Sequence, residues 1–172
     1  SSPSRGLGDV YKRQVEGDKI TYIGSTFLNY GDNMPYLNTC YVLGRQGSCA
    51  PLENIENQDV RCFDTESELL LAWTKLVQDE NPNIVIGYNI GGFDWQYMFE
   101  RANETNCLNK FMELSCNKDD VNFYKKIDYK TKKSSYSLKE TTLNIASGTH
   151  ELKYIEMPGR LQIDLYLSLI HI

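Results

Sequence analysis

The 172-residue chain has only two histidines, His150 and His171, and no Cys-x-x-Cys pair among its five cysteines, which argues against a zinc site built on paired thiolates and imidazoles. No apolar run approaches the roughly 20 residues that cross a bilayer. The polar start Ser1-Ser2-Pro3-Ser4-Arg5 has no hydrophobic signal region behind it, so membrane and secretory classes fall away. A basic surplus is missing too: 18 Lys+Arg stand against 23 Asp+Glu, a net charge of −5, unlike a protein dedicated to coating duplex DNA. The odd set Cys40, Cys49, Cys62, Cys107 and Cys116 predicts reduced, partly buried thiols in a cytosolic or nuclear compartment rather than a disulfide framework. No internal repeat is visible. With 41% hydrophobic and 24% charged residues the composition is that of a soluble globular protein, and the length suits one domain better than two.

The net charge hides a segregation. Residues 15–108 carry 14 acids and 5 bases, whereas residues 109–166 carry 8 acids and 10 bases. An acidic region able to hold a divalent cation, followed by a locally basic one able to touch phosphate, suits a metal-dependent nuclease; two differently solvated surfaces would give the same sums.

Both ends of the chain read as cut. Residues 1–14 (SSPSRGLGDVYKRQ) and 167–172 (LSLIHI) resemble translated adapter scars, and the fold reading is confined to residues 15–166. Within them, Ile20 to Leu28 is rich in β-branched and aromatic residues and predicts a strand ending at the turn signal Tyr30-Gly31-Asp32-Asn33. Thr39 to Leu43 predicts a second strand, antiparallel to the first. Gly44 to Asp59 reads as loop and Val60 to Phe63 as a short extended segment. Thr65-Glu66-Ser67-Glu68 fits a capping box, and Leu69, Trp73, Leu76 and Val77 then recur at helical spacing until Pro82. Asn83 to Asn89 is almost continuously apolar and predicts a strand buried on both faces. A helix from about Trp95 to Asn103 would bury Met98, Phe99 and Ala102. Residues 109–158 are polar and lysine-rich, a loop-and-hairpin insertion, and Gly159 to Leu165 alternates again, as a strand or the start of a helix. The order of elements is that of an α/β protein with a mixed sheet and flanking helices.

Chemistry concentrates in Gly87-Tyr88-Asn89-Ile90-Gly91-Gly92-Phe93-Asp94-Trp95-Gln96-Tyr97. Asp94 falls just past the carboxyl end of a strand, where open α/β sheets place their sites. It reads either as a carboxylate able to hold Mg²⁺ or Mn²⁺ or as the N-cap of the helix from Trp95. Gly91-Gly92 lacks the Gly-Lys-Ser/Thr of a phosphate loop and reads as a flexible turn. Asn89 and Phe93 have local readings of their own, as a turn former and a core aromatic.

The run GYNIGGFDWQYMFERA resembles the second exonuclease motif of family B DNA polymerases, usually Gly-Tyr-Asn-Ile, two variable residues, Phe-Asp, two variable residues, Tyr, with Arg-Ala slightly later. Ile20 to Phe27, Phe63-Asp64-Thr65-Glu66 and Gly159-Arg160-Leu161-Gln162-Ile163-Asp164 resemble further parts of the delta-like and large-DNA-virus branch, so that the likeness covers most of residues 15–166. It implies a ribonuclease-H-like 3′–5′ exonuclease domain that removes mispaired primer ends by two-metal hydrolysis with Mg²⁺ or Mn²⁺. It makes Asp94 the catalytic, metal-binding carboxylate and sets Asn89 and Phe93 along the path of the 3′ end.

The family's other acids, an Asp-x-Glu motif before Ile20 and a Tyr-x-x-x-Asp motif beyond Asp164, are not found in their expected places. The fragment alone is therefore expected to be inactive and to leave an open strand edge. Asp164 reads as a structural hydrogen-bonding acid. Lys125, Lys126, Lys130, Lys132 and Lys133, interleaved with Tyr124, Tyr129 and Tyr136, read as a guide for single-stranded DNA or as a solvated hairpin tip. Partners implied are primer-template DNA, a single-stranded 3′ end, deoxynucleotides for the parent polymerase and a sliding clamp, at a nuclear or cytoplasmic viral replication site. The alternatives are a catalytically silent ribonuclease-H-like module that binds DNA or protein and, further off, an unrelated α/β protein.

Overall fold

The computed structural model describes residues 17–117, 123–127, 134–145 and 148–170. These fall into two compact units that divide after Leu69, within the helix α1 (Glu66–Glu80).

The first unit is a three-stranded mixed sheet. Strand β1 (Tyr22–Phe27) pairs antiparallel with β2 (Leu37–Leu43), with Tyr22 opposite Val42 and Phe27 opposite Leu37, as the short connection requires. Strand β3 (Gln58–Phe63) lies parallel on the other side of β2. Tyr41 is buried, with its ring 5.3 Å from that of Phe63. Among the described residues β1 and β3 each have a ladder partner on one side only.

One expectation fails here. The turn at Arg45–Ser48 folds Cys49 back toward β3, and Cys49 and Cys62 are joined by a disulfide with a Cα–Cα separation of 5.9 Å, well inside the range the bond requires. Spacing along the chain carries no sign of such a pairing, because a loop decides it. Cys40, Cys107 and Cys116 form no disulfide among the described residues, and Cys107 is buried.

Helix α1 opens with the reciprocal hydrogen bonds of a capping box. The Glu68 amide donates to Thr65 Oγ1 at 3.3 Å and the Thr65 amide to Glu68 Oε2 at 3.0 Å. Its apolar residues Leu69, Leu70, Trp73, Leu76 and Val77 are all buried.

The second unit holds the rest. Strand β4 (Ile84–Gly87) pairs parallel with β9 (Leu161–Asp164), with Ile84 opposite Leu161 and Gly87 opposite Asp164. A π-helical turn, Ile90–Asp94, leads into α2 (Trp95–Glu104), which buries Trp95, Met98, Phe99 and Ala102. The helical turn α3 (Leu108–Phe111) supplies Phe111, whose ring stands 6.3 Å from that of Trp73; Trp95 approaches Trp73 at the same distance. The lysine-rich region contains two antiparallel hairpins, β5 (Tyr124–Ile127) with β6 (Ser134–Ser137), and β7 (Lys139–Ile145) with β8 (Gly148–Tyr154). After β9 the chain turns into α4 (Leu165–Ile170), so the segment read as a strand or a helix start is both in succession.

The two-sided burial expected of β4 is corrected by the structure. Ile84 is 47% and Ile86 59% exposed, and Leu161, opposite Ile84, is 58% exposed. Among the described residues β4 has one strand neighbour, β9, and the face carrying these side chains is left uncovered. Where β9 begins, the buried Arg160 donates to the carbonyls of Leu114 at 2.8 Å and Pro82 at 2.6 Å and reaches that of Val77 at 3.5 Å, placing its charge at the C-terminal end of α1. No described helix is long and apolar enough to cross a membrane.

Candidate active site

The parallel pair β4/β9 brings two strand ends together: Asp164 is the last residue of β9, and Asp94 stands on the connection that leaves β4. Asn89 adopts the left-handed conformation at φ 57° and ψ 28°, which asparagine tolerates better than most residues, and so turns the chain out of β4. Its carbonyl accepts from the amides of Gly92 at 3.1 Å and Phe93 at 3.0 Å, opening the π-helical turn; its own amide donates to Asp164 Oδ1 at 2.7 Å. The turn former expected at Asn89 is present.

The glycines of the motif serve space rather than flexibility. A Cβ on Gly87 would collide with Cγ2 of Ile90, and one on Gly92 with the side-chain oxygen of Asn89. Neither Gly91 nor Gly92 has positive φ; at Gly92 the flexible-turn reading is replaced by close packing, whereas a Cβ on Gly91 would meet only ordinary contacts.

Asp94 ends the turn with helical dihedrals, φ −61° and ψ −44°, and makes no side-chain capping hydrogen bond. A capping residue would take non-helical dihedrals and accept from the first turn; here the π-helical turn runs straight into α2, and the Trp95 amide is taken by the carbonyl of Ile90. The capping alternative is thereby removed. Asp94 is exposed at the surface. Neighbouring atoms nevertheless shield its carboxyl enough to hold it above the usual aspartate range; its own backbone amide opposes the shift, and the negative charge of Asp164 adds to it.

Phe93 is half-buried rather than in the core, and its ring stacks on that of Tyr97 at 5.3 Å, one turn further along. Asp164 has the structural role read for it: Oδ1 accepts from Asn89 and Tyr166, the latter at 3.0 Å, and Oδ2 accepts from Gly91 at 3.0 Å. Tyr88, 61% exposed, meets the ring of Tyr166 edge-on at 5.7 Å. A cavity of about 360 Å³ is lined by residues that include Ile90, Gly91, Trp95, Leu152, Gln162 and Asp164 but not Asp94.

Lys125 lies exposed on β5, and Lys126 belongs to the same strand. Lys130, Lys132 and Lys133 lie outside the described residues, as do residues 1–16 and 171–172. Among the described residues no three His, Cys, Asp or Glu side chains cluster as metal ligands. Sequence reasoning passed over Tyr97 as a neighbour of the acid and the closeness of Asp164 to Asp94. The first was legible in the i, i+4 spacing from Phe93; the second depends on the β4/β9 pairing.

Comparison with known proteins adds independent findings. A profile described as DNA polymerase family B, exonuclease domain, matches residues 6–169. A DNA polymerase of Phaeocystis pouchetii virus is 40% identical over 159 residues, 88% of this chain and 14% of the viral protein. A DNA polymerase of Pyramimonas orientalis virus is 33% identical, over 88% of this chain and 11% of its own length. A DNA polymerase delta catalytic subunit of Arabidopsis thaliana is 31% identical, over 92% of this chain and 12% of its own length. The chain thus spans about an eighth of the length of the relatives it matches.

Proposed function

The chain belongs to the exonuclease-domain family of family B DNA polymerases, and on that premise we propose that it is the part of a longer replicative polymerase that carries the second motif of a 3′–5′ proofreading centre. The fold proposed for the complete domain is ribonuclease-H-like, with residues 15–166 its central part and residues 109–158 a hairpin insertion. The observation that carries this reading is Asp94, exposed and free of a capping role, on the connection that leaves the carboxyl end of a parallel strand pair.

The reaction proposed is hydrolysis of the terminal phosphodiester of a mispaired 3′ strand. Two divalent ions, Mg²⁺ or Mn²⁺, supply in such a centre the charge that stabilises attacking water and leaving oxygen. The described residues fit one ligand of that site and not the whole of it. Asp94 offers a carboxylate, whereas the oxygens of Asp164 already accept three backbone hydrogen bonds, and no further acid joins them among the described residues. No step is therefore assigned beyond what this chain's own groups do. Asp94 presents negative charge to a cation, and the stacked Phe93 and Tyr97 rings give an unpaired terminal base an aromatic surface on which every base can stack. Asn89 shapes the turn between strand and acid and lies on the same path. Lys125, Lys126, Lys130, Lys132 and Lys133 would guide the strand. The polymerase would extend primer-template DNA with deoxynucleotides, with a sliding clamp as a further partner, in the nucleus or at a viral replication site.

The test is metal-dependent digestion of a 3′ single-stranded oligonucleotide. The full-length polymerase should excise, and Asp94→Ala should reduce excision by about 10³-fold or more, the loss of several kcal/mol of charge stabilisation, while extension persists. The 172-residue chain alone should show no cleavage. Excision that survives Asp94→Ala would remove the assignment. A wild-type polymerase that binds the oligonucleotide without cutting it would favour the silent binding module.

A further inference from the structure

The carboxylate of Asp164 has about four lone-pair positions, and three of them are engaged by backbone amides. Asn89 donates at 2.7 Å and Tyr166 at 3.0 Å to one oxygen, and Gly91 donates at 3.0 Å to the other. Two of those amides lie in the connection from β4 to Asp94. One belongs to the left-handed residue Asn89 itself, which starts the π-helical turn, and one lies inside the turn. The third is in the first turn of α4, so a single side chain ties the exit of β4 to the start of the helix after β9. Strand register supplies the reason for the reach, because Asp164 stands opposite Gly87 at the last pair of the parallel ladder. A Cβ on Gly91 would lie 3.6 Å from Asp164 Oδ2, an ordinary contact, so the approach does not depend on glycine at that position.

We propose that Asp164 is a positioning residue of the excision centre: its carboxylate holds the Asn89–Phe93 turn and thereby sets where Asp94 stands. The proposal rests on the reading of Asp94 given above. It assigns Asp164 no metal, since its acceptor sites are nearly filled, and no contact with substrate. A half-buried carboxylate accepting several backbone amides makes charge-assisted bonds roughly twice as strong as neutral ones, and these add to the backbone hydrogen bonds that the turn makes within itself.

The experiment uses the full-length polymerase with Asp164→Asn and Asp164→Glu, read by amide hydrogen exchange across residues 84–104 and by single-turnover excision and extension. In Asp164→Asn one oxygen becomes an NH₂ facing a backbone N–H. Exchange at Asn89 and Gly91 should quicken about tenfold or more while the amides of α2 keep their protection. Excision kcat should fall about 10²-fold, as misplacement of a catalytic group by about 1 Å does, with little change in KM for the 3′ strand and none in extension. Asp164→Glu, which keeps the charge but lengthens the arm, should lose excision as well.

Unchanged exchange at Asn89 and Gly91 overturns the proposal, and so does quickened exchange with full excision. Loss of protection throughout β4, α2 and β9 would make the residue merely structural and likewise overturns it. Full excision in Asp164→Glu beside a defect in Asp164→Asn would mean that charge, not geometry, matters, and overturns the proposal too. If Asp94→Ala itself excises normally, the functional reading fails first; if only the Asp164 variants do, this proposal fails alone.

Discussion

At the residue scale, the motif around Asp94 is built by exclusion of side chains as much as by their presence. Gly87 leaves room for Ile90 to fold back over the end of β4, and Gly92 leaves room for the amide group of Asn89. Gly87→Ala should therefore destabilise the second unit by about 1–3 kcal/mol through overpacking, measured by urea unfolding; a change below 0.5 kcal/mol would mean that Ile90 moves away freely. Glu100 on α2 carries a different cost. Burial raises its carboxyl above the ordinary value of 4.5, Lys153 works against the shift and Glu104 adds to it. The native state binds this proton more tightly than the unfolded chain does. The resulting stability is fully present below pH 4.5 and is lost as pH rises through the raised value, so at neutral pH the ionised group is a burden. Glu100→Gln should raise the melting temperature at pH 7 and lose that advantage as the pH is taken below 4.5, which paired thermal scans would check.

At the scale of the element, α1 is the part of the chain most plainly written in local chemistry. Both hydrogen bonds of its capping box form, its apolar residues are buried, and Asn81 leaves it with φ 47°, just before the proline that could not continue it. Thr65→Ala removes an acceptor for the Glu68 amide and should cost about 1 kcal/mol in denaturant unfolding. Strand β4 is the opposite case. Its run of apolar residues predicts cover on both sides, yet Ile84 and Ile86 stand exposed, because a hydrophobic pattern states what a strand needs and not whether a neighbour is there to supply it.

At the scale of the whole molecule, the segregation of charge along the chain matters for how a nucleic acid would be met. Of the five lysines between residues 125 and 133, Lys125 and Lys126 belong to β5, with Lys125 exposed, and the other three lie outside the described residues. If each touches a phosphate, replacing all five in the full-length polymerase should lower the slope of log binding constant against log salt for a single strand by about 3.5, from about 0.7 per contact. An unchanged slope would leave them as a solvated hairpin.

The first two strands, the two main helices, the helix start at Thr65 and the family motif around Asp94 were legible along the chain. They depend on periodicity, capping and turn chemistry among residues a few positions apart, and those interactions are local. Contacts between distant positions were decided only by the tertiary structure. Pairing of β4 with β9 carried Asp164 across 73 residues to the amide of Gly91, loop folding joined Cys49 to Cys62, and entry through a π-helical turn freed Asp94 from capping α2. Each of these rests on strand register or backbone path, which no spacing between neighbouring residues encodes.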